Sequence, residues 1–371
     1  MVIAVLGGSP SPEHDVSLAS ALAVVEAILK EGGAVLPVYI DREGFWHIGT
    51  RSLIGAQSCR LIPPFVELEK TTEGYPIGKA CRKLKERGVR LAFPALHGSY
   101  GEGGFVQAHL EGAQIPFVGS DAISSGLAMS KRKTQMILKG AGFPVARSWH
   151  PSPKEAKEME EKDFLRKLQE LGWKWPLFLK ADHSGSTLGV YKLRDIQHAK
   201  GVLAKVRKVD SLWMIEEGVS GPEITVGVLG NADSSVQALP PVEIRLRHGD
   251  FFDYQSKYDP HAVDEICPAP SLDAKAEAMA CSLAVRAHRL LNCRGFSRTD
   301  MILGAEGLVL LEINTIPGLT PVSLFPKAGL AAGYSFPALI RRLCLEALPG
   351  GWRKESSGLG GQMEKEMGQK E

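Results

Sequence analysis

Two tripeptides in the C-terminal half hold the densest chemistry of the chain, Arg298-Thr299-Asp300 and Glu312-Ile313-Asn314. Strand alternation places the outer residues of each triplet on one face. Two carboxylates and an amide gathered there are hard oxygen ligands, of the kind that hold Mg²⁺ shared with nucleotide phosphates. The runs 297–303 and 308–314 flank Gly304 and Gly307 and predict a hairpin. With a four-residue connection, opposed positions sum to an odd number, so Asp300 faces away from Glu312 unless the hairpin carries a bulge or an odd loop. Strands with solvated polar ends are the plainer reading, and the apolar run just before Glu312 and Asn314 favours a site.

Other constellations are weaker singly. The small-residue loop Ser184-Gly185-Ser186-Thr187-Leu188-Gly189 can present backbone N–H groups to phosphate oxygens, or it is a bare turn. Lys180, at the end of the preceding predicted strand, and Lys131 upstream favour the phosphate reading. Glu216-Glu217-Gly218-Val219 can offer backbone donors and acceptors to a base, with Glu223 placed for ribose hydroxyls, or it is a connection. Lys257-Tyr258 lies in the irregular stretch 247–266, which reads as a lid. Glu13-His14-Asp15 and His97-Gly98 follow predicted strands, where open α/β sheets place ligands.

The elements that must position these residues alternate. An apolar run at 2–6 ends in Gly7-Gly8, and a helix from Val16 to Lys30, capped by Asp15, leads to a second run at 34–40. Runs at 91–96 and 115–118 continue the rhythm, so the first 120 residues predict an open parallel α/β layer. A helix over 122–138 carries Lys131, strands follow at 175–181 and 190–193, and Asp273 caps a long helix to Leu291. Residues 348–371, rich in Gly, Lys, Glu and Gln, read as a disordered tail.

The 371 residues are 44% hydrophobic and 23% charged, with a formal net charge of +2, which suits a globular protein of two or three domains. No basic run marks a nucleic-acid surface. The six cysteines form no Cys-x-x-Cys pair and read as reduced, mostly buried thiols. The sequence shows neither a signal-peptide pattern nor a membrane-length apolar run, which predicts a cytoplasmic protein without a membrane partner. Hydrolase and zinc-protease motifs are absent, and Gly7-Gly8 does not open directly into a helix as a dinucleotide-binding G-x-G-x-x-G turn does.

In this order the segments resemble the D-alanine:D-alanine ligases of the ATP-grasp superfamily, from Val2 to about Ala347. The resemblance is carried by Leu6-Gly7-Gly8, Glu13 to Leu18, Ala95 to Gly98, Met129-Ser130-Lys131, Leu179-Lys180, Gly185 to Gly189, Glu216-Glu217 and Ser220 to Glu223. It continues through Asp253-Tyr254, Lys257-Tyr258, Cys267-Pro268-Ala269, Arg298 to Asp300 and Glu312 to Thr320.

The resemblance implies an ATP-grasp fold of mixed α/β and α+β type. An N-terminal domain spans 1–120, a small lobe 121–219 and a catalytic lobe 220–347, with ATP between the lobes. It implies that Lys131, Lys180 and Lys257 contact phosphates, that Glu216, Glu217 and Val219 line the adenine site, and that Glu223 holds the ribose. Asp300, Glu312 and Asn314 would bind two Mg²⁺ or Mn²⁺. ATP would phosphorylate one D-alanine carboxylate, and the amine of a second D-alanine would attack the acyl phosphate. Glu13, linked through Ser186 to Tyr258, would take the first ammonium, with His97 nearby. Arg298 and the Gly318 amide would hold the oxyanion, while Ser323 and the Leu324 amide would hold the second carboxylate. Tyr258 favours an amine over D-lactate as acceptor, and family members are commonly homodimers. Three departures stand out: Gly103 replaces an acidic residue, Ser130 a common Asp, and the segment after Gly8 is one residue longer.

Overall fold

The computed structural model describes residues 1–55, 65–185, 188–247 and 262–348. Of the residues named above, Cys59, Ser186, Thr187, Asp253-Tyr254, Lys257-Tyr258 and the tail beyond residue 348 lie outside the described residues.

Val2–Gly8 is buried from Ile3 onward, as a strand covered on both faces must be. It pairs in parallel with Ala34–Ile40 on one side and Val89–Pro94 on the other, and Trp46–Ile48 and Gly74–Tyr75 extend the sheet in antiparallel fashion. The first crossover helix is His14–Lys30, which begins two residues before the predicted start. Glu13 occupies the N-cap position without capping through its carboxylate. Asp15 lies inside the first turn, where a negative charge suits the helix dipole, and pairs with Arg42 at 3.1 Å. Residues 115–118 form no strand. Pro116 lacks an N–H, and the contact shrinks to one parallel bridge between Ala92 and Phe117.

The predicted helix over 122–138 is two helices, Ala122–Met129 and Lys131–Gly140. They break at Ser130, whose extended backbone (φ −80°, ψ 102°) lets its hydroxyl accept from Lys133 N–H and cap the second helix. A four-stranded antiparallel sheet follows, ordered Ser148–Trp149, Trp213–Glu217, Leu177–Ala181, Val190–Leu193. Leu177, Leu179, Trp213 and Ile215 pack on Phe164, Leu168 and Val206 of the covering helices. The alternate residues Phe178, Lys180 and Glu216 therefore face away from that core.

The third sheet runs Val263–Ile266, Val242–Leu246, Glu223–Leu229, Phe296–Gly304, Gly307–Asn314, all antiparallel. Asp273 caps helix Ala274–Leu290 by accepting from Ala276 N–H, as its sequence predicts, and Ala280, Leu283 and Ala287 of that helix cover one face of the sheet. The hairpin has a two-residue turn, Ala305-Glu306, and odd-sum pairs as far as Met301 opposite Leu310. The register then shifts, with Leu311 as the extra residue, so that Asp300 stands opposite Glu312 and Arg298 opposite Asn314. This is the bulge that convergence of the four side chains requires. Helix Phe336–Ala347 returns to pack on His14–Lys30, joining the first and third sheets through one apolar core. The five described cysteines are free, and burial pushes the thiols of Cys81 and Cys293 up to about 11 and about 12.

Candidate active site

Two clefts open between the three sheets. The larger, about 740 Å³, lies between the N-terminal loops and the third sheet, and its walls include Glu13, His97, Gly185, Arg298, Asn314 and Ser323. The smaller, about 570 Å³, lies between the second and third sheets against Phe178, Lys180, Glu216 and Val219. Lys131, Glu223, Asp300 and Glu312 border both.

At this junction the hairpin does what its alternation promised. Arg298 donates to Asp300 through Nε at 2.8 Å and Nη2 at 2.6 Å, and Thr225 Oγ1 adds a third donor at 2.5 Å. Burial disfavours the charged guanidinium, but Asp300, with Glu312 and Glu223 behind it, more than offsets that and raises its pKa. Arg298 thus stays cationic and uses two of its five N–H groups on Asp300. Lys131 Nζ donates to Ser184 O at 2.5 Å and stands 3.5 Å from Glu312 Oε2. Asn314 Oδ1 accepts from Ile316 N–H at 2.8 Å, which holds the amide in place.

The donor set fits Mg²⁺. Among the described residues no three His, Cys, Asp or Glu side chains converge closely enough to hold an ion alone. Two carboxylates and one amide that leave the remaining positions to phosphate oxygens and water are what Mg²⁺ accepts.

In the smaller cleft Lys180 pairs with Glu216 at 3.0 Å, and Gln135 Nε2 reaches the same carboxylate at 3.4 Å. Glu217 points the other way. Its oxygens accept from Arg147 Nε and Nη2, both at 2.6 Å, and from Lys174 N–H at 2.9 Å. The Arg147 hydrogen bond holds the Glu217 carboxyl below the usual range. Of the predicted pair, only the Glu216 side chain faces the cleft with Lys180, and Glu217 borders the cleft beside Gly218 and Val219.

In the larger cleft His97 is buried, with Nε2 2.9 Å from Ser20 Oγ and Nδ1 3.4 Å from Glu102 Oε1. Gly103 has no room for the family's acidic side chain, because a Cβ there would stand 2.4 Å from Ser99 O. The buried acid of this loop is Glu102. A Cβ at Gly185 would come within 3.0 Å of Glu13 Oε2, so glycine allows the phosphate-loop candidate to approach Glu13. Ser323 caps the start of Leu324–Ala331 in position only; its hydroxyl is 2.7 Å from Thr320 Oγ1. A Cβ on Gly318 would lie 2.9 Å from that hydroxyl, so Gly318 and Ser323 meet directly. All the described site candidates border one cleft or the other.

Sequence reading missed several residues here. Glu243 lines the smaller cleft and accepts from Arg245 Nε at 2.5 Å and Ser271 N–H at 2.8 Å. Lys327, one helical turn after Ser323, reaches Glu265 at 2.5 Å in the larger one. Asp182, buried behind Lys131, was also missed. Phe178 could have been found, because it precedes Lys180 by two on a strand.

Comparison with known proteins agrees with this arrangement. A family described as the D-ala D-ala ligase N-terminus matches residues 2–120, and one described as the D-ala D-ala ligase C-terminus matches 137–345. A D-alanine–D-alanine ligase of Desulforudis audaxviator is 37% identical over 342 residues, covering 92% of this chain and 96% of the relative. One from Moorella thermoacetica is 35% identical over 346 residues, covering 92% and 98%. Among solved structures, the VanG D-Ala:D-Ser ligase of Enterococcus faecalis superposes with a TM-score of 0.75 at 30% identity, covering 94% of this chain and 99% of the other. The Coxiella burnetii D-alanine–D-alanine ligase shares the fold at a TM-score of 0.75 and 24% identity, covering 94% and 93%. Two matched halves, relatives covered nearly end to end and a junction of lysines, carboxylates and a buried arginine together place this chain in the D-alanine–D-alanine ligase family.

Proposed function

We propose that this protein joins two D-alanine molecules into D-alanyl-D-alanine for peptidoglycan precursors, converting ATP to ADP and phosphate through an acyl phosphate. The observation that carries the reading is the shared border of the two clefts at Lys131, Glu223, Asp300 and Glu312. A nucleotide in one cleft and an amino acid in the other would meet there, where a phosphoryl group must pass.

Lys131, Lys180 and Lys257 hold the phosphates. Glu216 faces the adenine, Glu217 and Val219 flank it, and Glu223 holds the ribose. Asp300, Glu312 and Asn314 hold Mg²⁺, which when bound neutralises the transferring group. Glu13 takes the ammonium of the first D-alanine beside His97, in a chain with Ser186 and Tyr258. After the second amine attacks, the remaining Arg298 N–H groups and the Gly318 N–H stabilise the tetrahedral oxyanion, and Ser323 with the Leu324 N–H holds the second carboxylate. Positioning and charge neutralisation supply most of the rate. We assign 1–120, 121–219 and 220–347 as three domains, and a cytoplasmic homodimer as the working form, with no nucleic-acid or membrane partner.

The test is ADP and phosphate release with Mg²⁺ and ATP, alone and with D-alanine, L-alanine, D-alanine plus D-serine, or D-alanine plus D-lactate, with products identified by mass. Turnover with D-alanine alone that yields the dipeptide is expected. Preferential formation of a mixed product would overturn the D-alanine acceptor, and ATP binding without turnover would leave a sensor.

A further inference from the structure

Lys131 and Lys180 reach the cleft from different segments, one opening helix Lys131–Gly140 and the other near the end of strand Leu177–Ala181. Asp182 lies between them and is 2% exposed. Its carboxylate accepts from Ser130 Oγ, 3.0 Å from either oxygen, and from Arg132 N–H at 2.8 Å. Its backbone carbonyl accepts from Lys131 N–H at 3.2 Å, and its own N–H donates to Leu212 O at 3.0 Å. His183 Nε2 stands 3.6 Å from the same carboxylate. The N–H groups on both sides of the Lys131 Cα therefore end on Asp182, and a third, that of Lys133, ends on Ser130. A helix N-terminus leaves such groups without partners, and a carboxylate there suits the dipole. A buried carboxylate in turn needs all its donors.

We propose that Asp182 is a positioning residue for the ligase reaction: it joins the strand that delivers Lys180 to the helix start that delivers Lys131, and so fixes the spacing of the two phosphate-binding ammonium groups. The inference rests on the reading of Lys131 as a phosphate ligand. Among the described residues, Lys131 has no other anchor of this kind behind it; ahead of it lie Ser184 O and Glu312. When the Asp182 carboxylate is lost, the Ser130 hydroxyl and Arg132 N–H are orphaned, and the start of the helix moves together with Lys131.

The experiment is steady-state kinetics on the full chain with Mg²⁺-ATP and D-alanine, in a cycle of Asp182→Asn, Lys131→Ala and the double variant. Asp182→Asn is expected to raise the KM for ATP roughly tenfold or more, as loss of hydrogen bonds to a charged group does, with the D-alanine KM held within about threefold. In the Lys131→Ala background the same change should add less than about threefold. A merely structural role would lower the active fraction, and hence kcat, with the ATP KM unmoved. Multiplication of the two effects, or an unchanged ATP KM in Asp182→Asn, overturns the proposal. An unchanged ATP KM in Lys131→Ala instead overturns the phosphate role of Lys131. The exchange Ser130→Asp with Asp182→Ser keeps the same two touching side chains in reverse order. It should retain the ATP KM within about threefold, whereas Ser130→Asp alone buries two carboxylates in contact and should not. A folded exchange variant with its ATP KM raised beyond about tenfold overturns the proposal even where Asp182→Asn does not fold.

Discussion

Replacing Arg298 by alanine removes two different things, and the structure lets them be separated. The first is the fork on Asp300, two N–H bonds at 2.8 and 2.6 Å to a side chain only 8% exposed. Removing one partner of a buried pair costs about 3–5 kcal/mol. Thr225 still donates to Asp300, and the cleft admits water, so the lower end, about 3 kcal/mol, is expected. The second is the positive charge proposed to meet the developing oxyanion, whose loss is expected to cost turnover about 10²–10³-fold, or about 2.7–4 kcal/mol of transition-state stabilisation. Urea unfolding reads the first and saturating-substrate ADP release reads the second. Arg298→Lys keeps the charge but not the fork, so it should recover part of the stability while turnover stays at least about tenfold low. A folded Arg298→Ala enzyme with kcat within about tenfold of the parent would refute the oxyanion role.

The neighbouring acids Glu216 and Glu217 should behave differently. Glu216→Ala, which leaves Lys180 without its partner at 3.0 Å, should raise the ATP KM about tenfold. Glu217→Ala loses an outward pair with Arg147, which is 60% exposed, and should change it by less than about threefold; equal effects would show that the facing is misassigned. His288 donates from Nε2 to Gly230 O and accepts from Ser297 Oγ at Nδ1, a neutral tautomer, and burial lowers its pKa to about 4. The unfolded chain binds this proton first, so stability is full above about pH 6.5 and falls by about 3 kcal/mol as the pH drops toward 4. Denaturant unfolding at several pH values should show that slope, and His288→Gln, which keeps a donor and an acceptor, should flatten it.

Sequence reading went furthest where chemistry and periodicity coincide. The hairpin is visible as two apolar runs around a glycine turn, and arithmetic alone shows that a bulge or an odd loop is needed to bring Asp300 to Glu312; the structure uses the bulge. Leu311 could not be singled out in advance, because it continues an unbroken run from Leu308 and looks like its neighbours. The break at Ser130 was hidden for a related reason. No proline marks it within residues 122–138, while the acid that secures the second helix lies 52 residues away. The Trp213-Met214-Ile215 run is apolar on both faces, so it masks the strand phase that decides whether Glu216 or Glu217 turns toward Lys180 in the smaller cleft. Local pattern fixes which elements form; a choice between two adjacent carboxylates depends on Arg147, supplied by a distant segment.

The charges at the junction bear on the divalent ion proposed for it. Glu223, Asp300 and Glu312 face it, against Lys131 and Arg298, and Arg298 is committed to Asp300 through two bonds. Two like charges 4 Å apart repel by about 4 kcal/mol at an effective dielectric constant near 20. A triphosphate entering beside Glu312 would meet that repulsion, which Lys131, already 3.5 Å from Glu312, only partly offsets. Held by Asp300, Glu312 and Asn314 as proposed, a divalent ion would supply the positive charge that offsets this repulsion. Lys131 would then no longer be the main counter-charge of Glu312. On the proposed function, the same acids that oppose a bare triphosphate at this junction would favour one that arrives with its metal.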